Sequence, residues 1–343
     1  MEYSIGSKKE FLDYINGIKK TDKIAVLAHN DLDGVASAVL LDKLLHYKKR
    51  KIKDLKFVQL KVGLFEELFP ELSRKKINKV ILCDLSVNSD MAGFEELRKK
   101  FDTFLIDHHP YEIKGKNIIK TKTPDCAAFT IYDLSKEIYD LSRLEWLVCA
   151  TMVSEFSFND EFNFRFIQQH YPNVTKENIH DSEPGEWSKN ISSSLVYFAG
   201  KEKKIFNLIK KNKLRSFGKY RKIIDSEIAK FVDSFRKDAE YYPEKNLYFY
   251  FATPKYGVTS IVTTILSLEQ PDKSFIFVSP QLDNPDYYKV SSRSNGGKED
   301  MNVLMKKGIE GLENANGGGH PRASGARFMK KDFEKFKENI LGK

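Results

Sequence analysis

Three short stretches of this chain bring carboxylates and imidazoles together. The first is Ala28-His29-Asn30-Asp31-Leu32-Asp33-Gly34, directly after an apolar run. In extended backbone, side chains at alternate positions point to one side, so His29, Asp31 and Asp33 would project together. Gly34 removes a side chain where a phosphate or metal must come close, and a helix starting there offers amides suited to an anion. The second stretch is Cys83-Asp84-Leu85-Ser86, and the third is Ile106-Asp107-His108-His109-Pro110. Each has a plainer reading, with Asp33 as a helix cap, Asp31 and Asp84 as turn residues, and the histidines solvated. Yet three strand ends in one sheet each carry Asp, and two add His, so a shared site is the stronger expectation.

Carboxylates and neutral imidazoles converging on one crevice suit Mn2+, with Mg2+ or Co2+ as substitutes. Two such ions ~3.5–4 Å apart, bridged by a shared carboxylate, can activate water and stabilise both oxygens of an in-line phosphoryl displacement. A fourth stretch, Asn316-Gly317-Gly318-Gly319-His320-Pro321, has consecutive glycines whose backbone amides can cradle an anion, with His320 as a further donor. Upstream, Arg293 ends a strand-like segment and suits a bidentate phosphate grip.

The elements that must position these groups follow from hydrophobic period. Residues 23–28, 56–60, 79–83 and 103–106 read as buried strands, and 34–47 and 89–100 as helices, with Ser89 a candidate N-cap. Strands alternating with helices imply a parallel sheet covered on both faces. Residues 112–200 read as mostly helical, with a loop around 173–185. A basic, helix-patterned connector follows. Strands at 247–251, 274–278 and 288–292, with helices near 258–268 and 299–312, form a second, smaller α/β domain. The expected boundaries are 1–195, 196–243 and 244–343, with the active site in the cleft between the two domains. Phe156, Phe158, Phe162, Phe164 and Phe166 read as core, His46 as a surface or boundary residue, and His170 and His180 as solvated.

The chain has 343 residues, 41% of them hydrophobic, enough for two cores and too many for a disordered chain. Its net charge is 57 − 48 = +9, which favours polyanionic partners. Between Lys201 and Lys222 there are ten Lys/Arg and one acid, Glu202, so this stretch alone carries +9. Three scattered cysteines exclude a disulfide framework. No secretory leader is evident and no run approaches the ~20 apolar residues of a membrane span. The expectation is a soluble cytoplasmic protein.

Taken together, the four stretches resemble the DHH phosphoesterase family, whose name is its Asp107-His108-His109 signature. His29-x-Asp31-x-Asp33-Gly34 looks like the family's first motif and Asp84 its second. Gly317-Gly318-Gly319-His320 looks like the signature of the DHH-associated C-terminal domain. The resemblance runs from about residue 20 to 328 and is nearest to short oligonucleases and archaeal RecJ-like exonucleases. It implies that His29, Asp31 and Asp84 hold one Mn2+, and that Asp33, Asp84 and His108 hold the other, with Asp84 bridging. His109 would face the scissile phosphate and Asp107 would orient the histidine pair. Arg293, Gly317, Gly318, Gly319 and His320 would bind substrate. The family usually adds an Asp from a helix after the DHH signature; Glu155 stands at the best local match, with Asp160 as the fallback. The implied activity is an Mn2+-dependent exonuclease on single-stranded DNA, RNA or short oligonucleotides. The alternatives are a phosphodiesterase or phosphatase of small nucleotides (a cyclic dinucleotide or 3′-phosphoadenosine 5′-phosphate), or a non-catalytic replication or repair scaffold. Oligomeric state stays open, a homodimer included.

Overall fold

The computed structural model describes residues 1–296 and 299–342. The chain divides into two compact units, 1–218 and 219–343, so the expected connector at 196–243 is shared between them.

In the first unit, α1 (Lys8–Gly17) precedes five strands: β1 (Ile24–His29), β2 (Ile52–Val58), β3 (Lys79–Cys83), β4 (Asp102–Asp107) and β5 (Ile118–Lys120). Between them lie α2 (Leu32–Tyr47), α3 (Leu64–Arg74) and α4 (Met91–Lys100). Then come α5 (Ala127–Ser135), α6 (Glu145–Ser154), α7 (Glu161–His170), α8 (Glu183–Tyr197) and α9 (Lys203–Lys210). The strands form one fully parallel sheet in the order β2-β1-β3-β4-β5. Both faces are covered, as the near-continuous apolar strands require. In β1, Ile24, Val26 and Ala28 enter the core beneath α2, α5 and α6, whereas Ala25 and Leu27 enter the core beneath α3 and α4.

Strand order positions the functional residues. The chain steps from β1 to β2 on one side and then crosses back to β3 on the other, so β1 and β3 flank a switch point. Crevices at the carboxyl ends of strands at such points are where open α/β sheets bind ligands. The register pairs Ala28 with Cys83 and Cys83 with Ile106, aligning the ends of β1, β3 and β4 at one rim.

In the second unit, α10 (Phe217–Asp238), which starts just before the boundary, leads to a six-stranded sheet. Its strands are β6 (Glu240–Tyr242), β7 (Leu247–Phe251), β8 (Ser274–Gln281), β9 (Asn284–Ser294), β10 (Asn316–His320) and β11 (Ala323–Met329). The order is β10-β11-β9-β8-β7-β6, antiparallel except for β7–β8. Helices α12 (Met301–Gly308) and α13 (Phe333–Leu341) pack on one face through Met305 and Phe336, while α11 (Thr259–Glu269) packs on β8 and β9. No described helix is long and apolar enough to cross a membrane.

Several local expectations shift. The second strand runs 52–58 rather than 56–60, and α4 starts at Met91 after a 3-10 turn over Val87–Asp90. Asp90 holds that turn by accepting the Phe65 N–H at 3.2 Å. The triple glycine lies in strand β10. There the absence of side chains lets the strand lie close to α12: a Cβ on Gly317 would sit 2.9 Å from the Met305 carbonyl oxygen.

Gly34 closes the turn from β1 into α2, where an added Cβ would fall 2.1 Å from the His29 carbonyl oxygen. Gly34→Ala should therefore destabilise the protein by about 3 kcal/mol, the upper end of overpacking costs. A urea-denaturation midpoint equal to that of the parent would show that the turn yields freely.

Candidate metal centre

Each cluster is held by a different local device. Asp31 is the N-cap of α2, with Oδ1 accepting the Gly34 N–H at 3.0 Å, and its Oδ2 lies 2.5 Å from His29 Nδ1. The cap role and the site role thus coexist in one carboxylate. Asp84 follows β3 with its backbone in the left-handed region (φ 58°), and its N–H donates to the Ile106 carbonyl at 2.9 Å. A non-glycine residue is strained in that conformation, and such residues concentrate at functional sites. Buried between the strand ends, Asp84 puts Oδ2 3.6 Å from His29 Nδ1, and Oδ1 3.3 Å from His108 Nε2 and 3.8 Å from His109 Nδ1.

Two ligand groups result, His29–Asp31–Asp84 and Asp84–His108–His109, with Asp84 common to both. Asp33 is placed differently from its neighbours. It is completely buried, and its two oxygens accept the N–H groups of Ala127 and Ala128, each at 2.7 Å, at the start of α5. Its Oδ2 still lies 3.7 Å from His108 Nε2, so it borders the second group while anchoring a helix. Asp107 Oδ1 lies 2.8 Å from His109 Nδ1, which leaves Nε2 as the ring nitrogen available to a ligand. Asp160 caps α7 and pairs with Lys122 at 2.7 Å, whereas Glu155 follows α6 where the charges of Asp31 and Asp84 reach it.

Electrostatics describe a site short of positive charge. Burial, then the charges of Asp31 and Asp84, push the Glu155 carboxyl up to about 7. Burial and the Asp84 charge push Asp33 well up, and burial with the Asp31 charge raises Asp84. Burial alone would depress His29 and His108, but the carboxylates beside them, Asp31 and Asp84 for His29 and Asp84 and Asp33 for His108, push each up to about 10. Five groups thus favour holding protons. Asp84 Oδ2 and His108 Nε2 are buried without a hydrogen-bond partner, which is costly unless something else binds there. Imidazole nitrogens and carboxylate oxygens with uncompensated negative charge fit divalent cations.

One residue escaped the reading of the sequence. Lys120, buried at the end of β5, reaches Asp107 Oδ2 at 3.4 Å, donates to the His109 carbonyl, and lies 3.4 Å from the Tyr111 ring centre. Burial alone would raise Asp107, but the His109 bond and this internal cation hold it below its ordinary carboxylate range. A lysine closing the short apolar run Ile118-Ile119 was the available signal.

In the second unit, Arg293 is part-buried in β9, with Nε donating to Thr264 Oγ1 at 3.1 Å and Nη1 to the Ser292 carbonyl at 3.1 Å. His320, at the exposed end of β10, pairs with Ala323 in the neighbouring strand, and Ala323 pairs in turn with Arg293. Arg293 and His320 thus lie in one sheet, two strands apart. Gly318 and Gly319 have φ of 150° and 144°, and the Gly319 N–H donates to Asn302 Oδ1 at 3.2 Å.

Residues 23–169 match the DHH family, N-terminal domain. The chain carries a DHH-family N-terminal domain. No curated protein matches the chain. Among solved structures it is similar to exonuclease RecJ bound to manganese, with a TM-score of 0.74 and 13% identity, covering 98% of this chain and 93% of that one. It is also similar to RecJ from Thermus thermophilus in complex with Mn2+ (TM-score 0.68, 13% identity, 98% of this chain), where it spans 54% of that chain. An exopolyphosphatase-related protein from Bacteroides fragilis gives a TM-score of 0.54 at 17% identity, covering 98% of this chain and 95% of that one. At these identities the likeness is one of fold. The DHH domain contains every residue of the two ligand groups.

Glu155 provides a test of the charge argument. Its folded pKa, about 7, lies above its ordinary 4.5, so its contribution to stability is fully present below pH 4.5 and lost as pH rises through about 7. In chelator, the urea midpoint should fall from pH 5 to pH 8, and Glu155→Gln should make that fall smaller. Equal falls would show that Glu155 is not ionising in the site.

Proposed function

We propose that this protein is a divalent-metal-dependent phosphodiesterase that shortens single-stranded or short oligonucleotides from an end, with Mn2+ as its working ion. The observation that carries the proposal is the pair of ligand groups meeting at Asp84 on the switch-point rim of a DHH domain. In this reading His29, Asp31 and Asp84 hold one cation. Asp84 and His108 hold the second, with Asp33 beside them and Glu155 completing the set. Bound cations would supply Lewis acidity toward the phosphoryl oxygens and the means to acidify water.

The protein's own groups do the rest. His109, fixed through Nδ1 by Asp107, presents Nε2 to the phosphate or to the departing sugar oxygen. Lys120 keeps Asp107 ionised so that it remains an acceptor for that histidine. Hydrolysis adds the oxygen of water to phosphorus and breaks the phosphorus–sugar oxygen bond, the sugar oxygen leaving with a proton. Arg293 and His320 serve as substrate-phosphate ligands in the second unit. The basic stretch at 201–222 favours a polyanion longer than a mononucleotide. That length argument separates this reading from a small-nucleotide phosphodiesterase.

An end-labelled 5-mer and 20-mer, in DNA and RNA, should be shortened stepwise in Mn2+ and untouched in chelator. Turnover confined to a cyclic dinucleotide or to 3′-phosphoadenosine 5′-phosphate would reject the oligonucleotide assignment. Asp84→Ala should lower the rate at least ~1,000-fold, more than loss of a single transition-state contact, because both cations depend on it. It should also remove Mn2+ binding in calorimetry. Arg293→Ala and His320→Ala should act chiefly on KM, and an unchanged KM would count against their roles.

A further inference from the structure

Immediately after Glu155 the chain does something unfavourable. Phe156 takes φ 55° and ψ 22°, in the left-handed region, where helices ordinarily end with glycine or asparagine. A bulky residue meets a steric penalty there. Phe156 is also 58% exposed, so it recovers little from burial. The expectation that this residue belongs to the core is therefore wrong, whereas His180 is exposed as expected and also meets two aromatic rings. The His180 ring lies 5.9 Å from Phe156 at 66° and 5.5 Å from Phe158 at 83°. Phe158 is buried and lies 5.9 Å from Phe156, giving the exposed ring a fixed support. For ending α6 alone, glycine would serve better at position 156 on both counts.

Location gives this costly ring a use. Glu155 is the C-cap of α6, which packs on α2, the helix that Asp31 caps, and the charges of Asp31 and Asp84 reach its carboxyl. Adjacent Cα atoms are about 3.8 Å apart, so Phe156 stands one residue from the carboxylate cluster. An aromatic face offered to solvent beside a phosphate-handling site suits a nucleobase, and such stacking tolerates any base because every base has a π-face.

We propose that Phe156, backed by Phe158 and His180, is the platform on which the nucleobase next to the scissile phosphate stacks. This rests on the nucleotide-directed reading above and narrows it to base-bearing esters over inorganic polyphosphate or abasic sugar phosphates.

The test uses the full chain with Phe156→Gly and Phe156→Trp. Parent and Phe156→Trp proteins should cleave an oligonucleotide with a normal terminal residue faster, in kcat/KM, than one with an abasic terminus. In Phe156→Gly that preference should fall by about tenfold or more, the scale of one stacked base. Phe156→Gly should also melt at or above the parent temperature, because it relieves the left-handed strain. A structural role would instead lower the melting temperature and slow both substrates alike, which would overturn the proposal. Binding provides a readout independent of turnover. In Mg2+, the added fluorescence of Phe156→Trp, over that of Trp146 and Trp187, should be quenched by a nucleoside monophosphate and not by ribose 5-phosphate. Equal responses to the two ligands would also overturn it, whether or not any oligonucleotide is cleaved. Absence of cleavage by the parent protein bears on the phosphodiesterase reading, so the two failures are separable.

Discussion

The arrangement depends on the cost of collecting carboxylates where water is scarce. Asp31, Asp33, Asp84 and Glu155 act on one another's charge at one rim of the sheet. An uncompensated buried carboxylate is too unfavourable to keep, so each must find a partner or a proton. Asp31 uses the first turn of α2 and His29. Asp33 takes two amides at the start of α5, where the helix also presents its positive end. Asp107, one layer behind, has Lys120 and His109. Asp84 is the residue left over. Its Oδ2 has no hydrogen-bond partner, and its neighbours are histidines whose raised basicity reflects the same surplus of negative charge. The fold thus satisfies Asp31, Asp33 and Asp107 with its own atoms and leaves an oxygen of the central Asp84 without a partner.

Two of the eight described non-glycine residues with left-handed backbone border this cluster. Asp84 and Phe156 both hold left-handed conformations without being glycine. One ends β3 at the switch point and the other follows the helix that delivers Glu155. A rigid scaffold sustains strained positions at its rim, and such positions set where charged and aromatic side chains point.

The basic stretch shows how packing edits a charge count. Ile205, Phe206 and Ile209 bury one side of α9, so its lysines are displayed on the other. Lys210 is already paired with Asp42 at 2.7 Å. Ten positive residues in sequence therefore present fewer than ten free charges on the surface.

Sequence alone determined the parallel α/β class of the first unit, because apolar runs such as 24–28 and 79–83 can only be buried on both faces. It also determined that His29, Asp31, Asp84, His108 and His109 stand at strand ends, since period 2 and period 3.6 give way at those points. Which of them meet was decided by the strand order β2-β1-β3-β4-β5, a non-local choice that aligns Ala28, Cys83 and Ile106 at one edge. Local pattern could not assign Asp33 to the amides of Ala127 and Ala128, more than ninety residues away. Nor could it recover β5, three residues long, and with it the role of Lys120. The glycine run suggested an anion cradle, and only its pairing with β11 made it a strand. Phe156 looked like core because aromatic residues usually are, and only the end of α6 in three dimensions left its ring in solvent.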